Sequence, residues 1–115
     1  MKHFKLSDFN CKETGENEMC SHFLVRLDNL REACGFPFIV NSGYRSPEHS
    51  VEKAKSKPGF HAQGLATDIR CRDGNKKRKI VAAAIAMGFN GIGVYPTFIH
   101  VDDGIRVRPV IWSKK

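Results

Sequence analysis

Apolar residues recur at helical spacing in two separate stretches of the chain. In the first stretch, residues 21–34, one helical face is apolar: Phe23, Leu24, Leu27, Leu30 and Ala33. Ser21 fits the N-cap of this helix and Gly35 its end. The second stretch, residues 76–87, follows a turn-forming Asp-Gly-Asn sequence and stops before Gly88. The pattern therefore predicts two main helices.

Short runs rich in apolar and β-branched residues lie between turn signals and predict strands. The predicted strands are residues 38–41, 65–71, 91–95, 98–101 and 105–112. Pro96 and Thr97 join two of them, which indicates a hairpin, and Pro109 favours an edge position for the last strand. Residues 48–59 are polar and lysine-rich, and we expect an irregular or weakly helical segment beside a cleft. Together the elements predict an α+β fold with a small, mainly antiparallel sheet.

Length and composition predict one compact domain over residues 1–115. The chain is 41% hydrophobic and 27% charged, as in ordinary globular proteins. No apolar run is long enough to span a bilayer, and the first residues lack the apolar core of a signal peptide. The net charge of +7 favours an anionic partner such as nucleic acid, anionic lipid or an acidic cell wall. The clusters at residues 76–79 and 113–115 are interpreted more simply as a solvated helix start and a soluble tail.

The cysteines are expected to be free thiols, because no secretion signal is visible. Cys11 and Cys20 flank a turn-like stretch and could instead form a pair or the remnant of a small metal site. Cys34 and Cys71 are predicted to be buried and to pack as small apolar residues.

Two histidines and one aspartate are the main candidates for chemistry. His61 and Asp68 enclose the segment HAQGLATD, and His100 lies in FIHVD. Two imidazoles and one carboxylate are a common ligand set for a catalytic zinc, and three protein ligands leave a position for water. The spacing alone also leaves open ordinary structural or surface roles for all three residues.

Alternation along a strand predicts which of these side chains face the same side of the sheet. His100 and Asp102 are two residues apart, so on a strand both face the same side. Ile99 and Val101 would then face the opposite side and enter the core. A strand with polar residues on one face and aliphatic residues on the other is typical of the floor of a site.

Four segments together resemble the D-alanyl-D-alanine carboxypeptidase-like zinc peptidases, which cut peptidoglycan stem peptides. They are residues 42–47 (SGYRSP), 61–68 (HAQGLATD), 91–95 (GIGVY) and 98–102 (FIHVD). The resemblance covers nearly the whole chain and is strongest to the short, phage-type members. It implies a Hedgehog or D,D-peptidase-like fold, with zinc in an open cleft on the sheet.

The resemblance also implies roles for individual residues. The implied zinc ligands are His61, Asp68 and His100. Arg45 would bind substrate and assist catalysis, because its planar, permanent cation suits a carboxylate or a developing oxyanion. A loop arginine that bonds backbone carbonyls is the alternative. Ser42 and Tyr44, in the same segment, are expected to bind substrate.

The general base is not identified by the resemblance. Many relatives carry a glutamate three residues before the last zinc histidine, where this chain has Thr97, and others carry a histidine at the position of Phe98. Asp102 is the best remaining carboxylate for a base. It could equally orient a zinc histidine from outside the ligand set. Phe60 also departs from the small polar residue that is usual beside His61, which leaves the shape of the pocket open.

We therefore expect zinc-dependent hydrolysis of a peptide bond in peptidoglycan. The protein would act as a monomer, made in the cytoplasm of a bacterial host and reaching the wall after release or within a phage particle. Two other classes remain. A catalytically silent, zinc-containing wall-binding domain is suggested by Thr97, and turnover by the wild type would exclude it. A basic nucleic-acid-binding module is supported only by the lysine cluster, without a recognition motif.

Overall fold

The computed structural model describes residues 1–46 and 59–114. The polar segment predicted at residues 48–59 lies outside the described residues except for Gly59. The elements, in chain order, are a 3-10 turn Leu6–Phe9, α1 Ser21–Cys34, β1 Ile39–Ser42, β2 Ala66–Arg70, α2 Gly74–Met87, β3 Gly91–Val94, β4 Phe98–Asp102 and β5 Val110–Ser113. Neither described helix is long and apolar enough to cross a membrane.

Both helices are where the periodicity predicts them, with small differences at their starts. The N-cap of α1 is Cys20 rather than Ser21, and Gly35 ends the helix in the left-handed conformation. Helix α2 begins earlier than predicted, because the Asp73 carboxylate accepts a hydrogen bond from the backbone N–H of Lys76 at 3.0 Å. This bond satisfies a backbone N–H group in the first turn of the helix. The predicted turn therefore contains the N-cap residue, Asp73.

The five strands form one sheet in the order β1-β2-β4-β3-β5. The pairs β1–β2, β2–β4 and β3–β4 are antiparallel, whereas β3–β5 is parallel. The prediction of an α+β fold with two helices and a mainly antiparallel sheet is confirmed. Its closer likeness to the Hedgehog and D,D-peptidase fold stays a prediction.

The last strand is shorter than predicted and begins only at Val110. Ile105 and Val107 are 90% and 98% exposed, so the preceding segment contributes little to the core. Pro109 has no N–H for a sheet ladder, and pairing starts where the Val110 N–H donates to Asn90 O at 3.0 Å. The edge position predicted from Pro109 is confirmed.

One face of the sheet packs on both helices, and the opposite face carries the polar residues of the candidate site. The buried cluster joins helix and strand residues: Phe23, Leu24, Leu27, Leu30, Ile80, Ala84, Ile69, Ile92, Ile99 and Val101. Ile99 and Val101 are fully buried, as the alternation predicted. Because neighbouring strand positions alternate, Asp68 and His100 lie on the face opposite the helices.

All four cysteines are free thiols, so Cys11 and Cys20 are not paired. Cys71 is buried as predicted, whereas Cys34 is only half-buried. Cys34 lies in the last turn of α1, and its Sγ is 3.8 Å from the backbone oxygen of Lys79.

The turn before β2 depends on a glycine. Gly64 has φ +73°, and a Cβ there would collide with the carbonyl oxygen of Glu18 and lie 2.9 Å from the Cys20 nitrogen. We expect Gly64→Ala to lower the free energy of unfolding by about 3 kcal/mol, from left-handed strain plus overpacking. Gly35→Ala is the matched control, since Gly35 has φ +76° with nothing within 4 Å. Urea unfolding should show a loss of only about 1 kcal/mol for this control; equal losses would contradict the collision.

Candidate metal centre

Strand pairing places Asp68 and His100 side by side. The two residues are 32 positions apart in the chain, yet they are directly opposite each other in the β2–β4 ladder. His61 lies in the turn that leads into β2, and its backbone oxygen accepts a hydrogen bond from Arg45 N at 3.2 Å. The turn brings the His61 ring beside this pair, with its ring centroid 5.3 Å from that of His100.

The three predicted ligands form a compact group. Each of His61, Asp68 and His100 offers one ligand atom, and these atoms lie within 4.8 Å of one another. Asp68 Oδ1 is 2.9 Å from Nδ1 of His100 and 3.4 Å from Nε2 of His61. Two nitrogens and one carboxylate oxygen in such a cluster suit a tetrahedral zinc with one open position.

Each histidine has a hydrogen-bond acceptor beside the ring nitrogen that points away from this group. Nδ1 of His61 is 2.8 Å from the Gly43 carbonyl oxygen, an acceptor, so this nitrogen carries the proton. Nε2 of His100 is 2.7 Å from Oδ2 of Asp102 and donates to it. The other nitrogens, Nε2 of His61 and Nδ1 of His100, face Asp68, and each offers a lone pair there once it loses its proton, as metal binding requires. Both histidines thus have the acceptor beside the second nitrogen that is usual for a histidine that binds a metal.

The acidic and basic groups in the cluster stabilise one another's charged forms. Burial would raise the pKa of Asp68, but hydrogen bonds from His100 and His61 hold it well below its usual range. Burial would lower the pKa of His100, but its bonds to Asp102 and Asp68 raise it above its usual value. Without a metal, His100 therefore tends to carry a proton between two ionised carboxylates.

Because His100 tends to hold this proton, we expect the affinity of the site for zinc to depend on pH. A metal must displace the proton from His100, so zinc affinity should be highest above the raised pKa of His100 and fall as the pH drops through it. The expected loss is about tenfold per pH unit for each proton displaced. Zinc titrations against a competing chromophoric chelator at several pH values would measure this. An affinity that is constant from pH 8 to pH 5.5 would contradict it.

Asp102 is enclosed by donors. It is fully buried, and its Oδ1 accepts from Gly104 N at 3.1 Å and from Arg106 Nε at 3.3 Å. Its Oδ2 accepts from His100 Nε2 and from Arg106 Nη2 at 2.8 Å. Burial would raise the pKa of Asp102, but the bonds from His100 and Arg106 lower it. Gly91 is its cross-strand neighbour, and a Cβ there would collide with the Asp102 carboxylate. This environment suits a group that orients His100 better than a base that contacts water.

The predicted substrate-binding residues Arg45, Ser42 and Tyr44 differ in how far they are buried. The Arg45 guanidinium is 3.4 Å from Oδ2 of Asp68, and its Nε donates to Ser42 Oγ at 3.2 Å. Both side chains are therefore beside the candidate metal ligands, where a substrate would bind. Tyr44 is 2% exposed and donates to Glu18 at 2.9 Å; burial and this bond raise the pKa of Tyr44 to about 12. The substrate-binding roles of these residues stay predictions, and that of Tyr44 is the least compatible with its burial.

The sequence did not single out two residues that border the cluster. Arg106 pairs with Asp102, and its guanidinium carbon lies 4.8 Å from the centre of the Phe60 ring. Trp112 lies with its ring centroid 5.3 Å from that of His100. Arg106 lies only four residues after Asp102, but the spacing alone does not predict the contact, because the segment after β4 is neither helix nor strand. The only tryptophan in the chain could have been noticed from composition.

The comparison with protein families agrees with this geometry. The family model for Peptidase M15 matches residues 2–102, which include α1, α2, β1 to β4 and the whole His-Asp-His cluster. No curated protein sequence matches the chain. A match over most of the chain, together with a ligand group that suits zinc, shows that the protein belongs to the Peptidase M15 family of D-alanyl-D-alanine carboxypeptidase-like zinc peptidases.

Proposed function

We propose that the protein hydrolyses a peptide bond in peptidoglycan stem peptides or cross-links, with His61, Asp68 and His100 as the ligands of a catalytic zinc. The observation that carries this proposal is the convergence of the three ligand atoms within 4.8 Å, on the face of the sheet opposite the helices. The acceptors beside the outer ring nitrogens, Gly43 O for His61 and Asp102 for His100, support it, because they leave the other nitrogen of each ring facing Asp68. Membership of the Peptidase M15 family supports the substrate class.

Bound zinc would lower the pKa of a water to about 7 and polarise the scissile carbonyl. The protein's own residues prepare the site for this chemistry. The Gly43 carbonyl and Asp102 hold the two imidazoles in orientation, so little reorganisation is needed during reaction. The Arg45 guanidinium, beside Asp68, would bind a substrate carboxylate or the oxygen that gains negative charge during attack.

The setting we propose is wall digestion by a phage-type enzyme, released from the cytoplasm or carried on a particle. The net charge of +7 supports this setting, since a cationic protein concentrates on an anionic wall. A monomer is sufficient for the reaction, because all three proposed ligands come from one chain.

Digestion of purified peptidoglycan tests the proposal. The protein should bind one zinc per chain. In its zinc-loaded form it should release products whose masses identify the bond that is cut. Chelation should stop the release, and added zinc should restore it. Zinc and wall binding without any product would instead support the silent wall-binding domain that Thr97 suggests. Salt-sensitive binding to DNA by a metal-free protein would support the nucleic-acid-binding module.

A further inference from the structure

The strand beyond the family match borders the candidate metal centre. β5 pairs with β3 in parallel, and the ladder places Trp112 beside Gly93. On its other side, Gly93 is opposite His100 in β4. Trp112, Gly93 and His100 therefore lie in one row across the face of the sheet opposite the helices, although the family match ends at Asp102.

Gly93 gives the indole the space to lie over β3. A Cβ at Gly93 would be 2.7 Å from the Trp112 ring. The indole Nε1 donates to the Tyr95 hydroxyl at 2.9 Å, and the Tyr95 ring stacks on Phe98 with centroids 4.3 Å apart. The polar atom of the indole is thus satisfied within the protein, while the side chain stays partly exposed beside His100.

Arg106 connects this aromatic group to the turn that carries His61. Its guanidinium carbon is 5.3 Å from the centre of the Trp112 ring and 4.8 Å from that of Phe60. Its ion pair with the fully buried Asp102 holds the guanidinium in place. The segment between β4 and β5 therefore holds Trp112 in a fixed position at the edge of the proposed cleft.

We propose that Trp112 is a substrate-binding residue, whose indole contacts a short aliphatic side chain next to the scissile bond. The inference rests on the proposed peptidoglycan hydrolysis. The Trp112 ring centroid lies 5.3 Å from that of His100, so a peptide that enters the cleft from the β5 side would contact the indole. A pre-positioned aromatic ring offers a large apolar surface for little loss of conformational entropy, which suits alanine-sized residues of a stem peptide.

Intrinsic fluorescence tests the contact directly, because Trp112 is the only tryptophan. Soluble muropeptides with intact stem peptides would be titrated into the zinc-loaded protein. The emission should change saturably, with a midpoint near the KM for hydrolysis of the same muropeptides. Unchanged emission at concentrations that saturate hydrolysis would overturn the proposal.

Kinetics of variants separate substrate binding from structural support. Trp112→Ala should raise KM about tenfold or more, while Trp112→Phe, which keeps a ring, stays within about threefold of the wild type. Zinc affinity should be unchanged in both. Ile111→Ala is the matched control, since Ile111 precedes Trp112 on β5, faces the opposite side and is 51% exposed; its KM should not change.

The outcomes separate a failure of the Trp112 proposal from a failure of the proposed hydrolysis. If the tryptophan variants lose zinc affinity together with activity, the ring supports His100 instead, and the inference is wrong. If the wild type hydrolyses muropeptides but both variants keep its kcat/KM, the inference falls while the hydrolase remains. If the wild type shows no turnover but muropeptides still change the emission, Trp112 binds the peptide and the proposed hydrolysis fails.

Discussion

Replacing His61 with alanine should abolish stoichiometric zinc binding and lower kcat/KM for muropeptides by at least about 1,000-fold. The physical reason is that the variant leaves only Asp68 and His100 to hold the metal. Without zinc, the attacking water returns to a pKa of about 15.7 and the carbonyl is no longer polarised. Metal analysis of the purified variant and mass spectrometry of the digested muropeptides would measure the two losses.

The control for this variant is His22→Ala, which removes an exposed histidine at the start of α1. It should keep one zinc per chain and full activity. His61 also donates to the Gly43 carbonyl, so unfolding curves of both variants are needed to separate metal loss from destabilisation. A folded His61→Ala protein that retains one tightly bound zinc would remove His61 from the ligand set.

Asp102→Asn should weaken zinc binding by about 10- to 100-fold and reduce hydrolysis with it. The amide lacks the negative charge that holds the proton on Nε2 of His100, and Arg106 loses its buried ionic partner. Excess zinc should therefore restore much of the lost activity. Calorimetric zinc titration and kinetics at two zinc concentrations would measure this.

The same variant distinguishes the two roles that the sequence leaves open for Asp102. A general base would be needed for turnover but not for metal binding, so its loss would lower kcat at unchanged zinc affinity. The structure favours orientation, because both carboxylate oxygens already accept hydrogen bonds and the side chain is fully buried. A loss of kcat that excess zinc does not restore would reverse this assignment.

Asp102 also illustrates which structural features local patterns can predict. Alternation correctly placed it on the same side of β4 as His100, with Ile99 and Val101 in the core. Alternation depends only on the backbone geometry of a single strand, so it can be read from four or five residues. It does not show which donors surround a side chain, and Arg106, four residues further along, contacts Asp102 through the conformation of the irregular segment after β4.

The sequence by itself determined the two helices, most of the strands and the side of β4 that carries His100, because helix and strand periodicities are local properties of the chain. Its resemblance to a peptidase family named the three candidate metal ligands. Only the tertiary structure decided that β2 lies beside β4, which brings Asp68 opposite His100, and that Trp112 reaches the same row through Gly93. These contacts depend on strand order and register, which follow from packing of the whole sheet on its helices and not from any one segment.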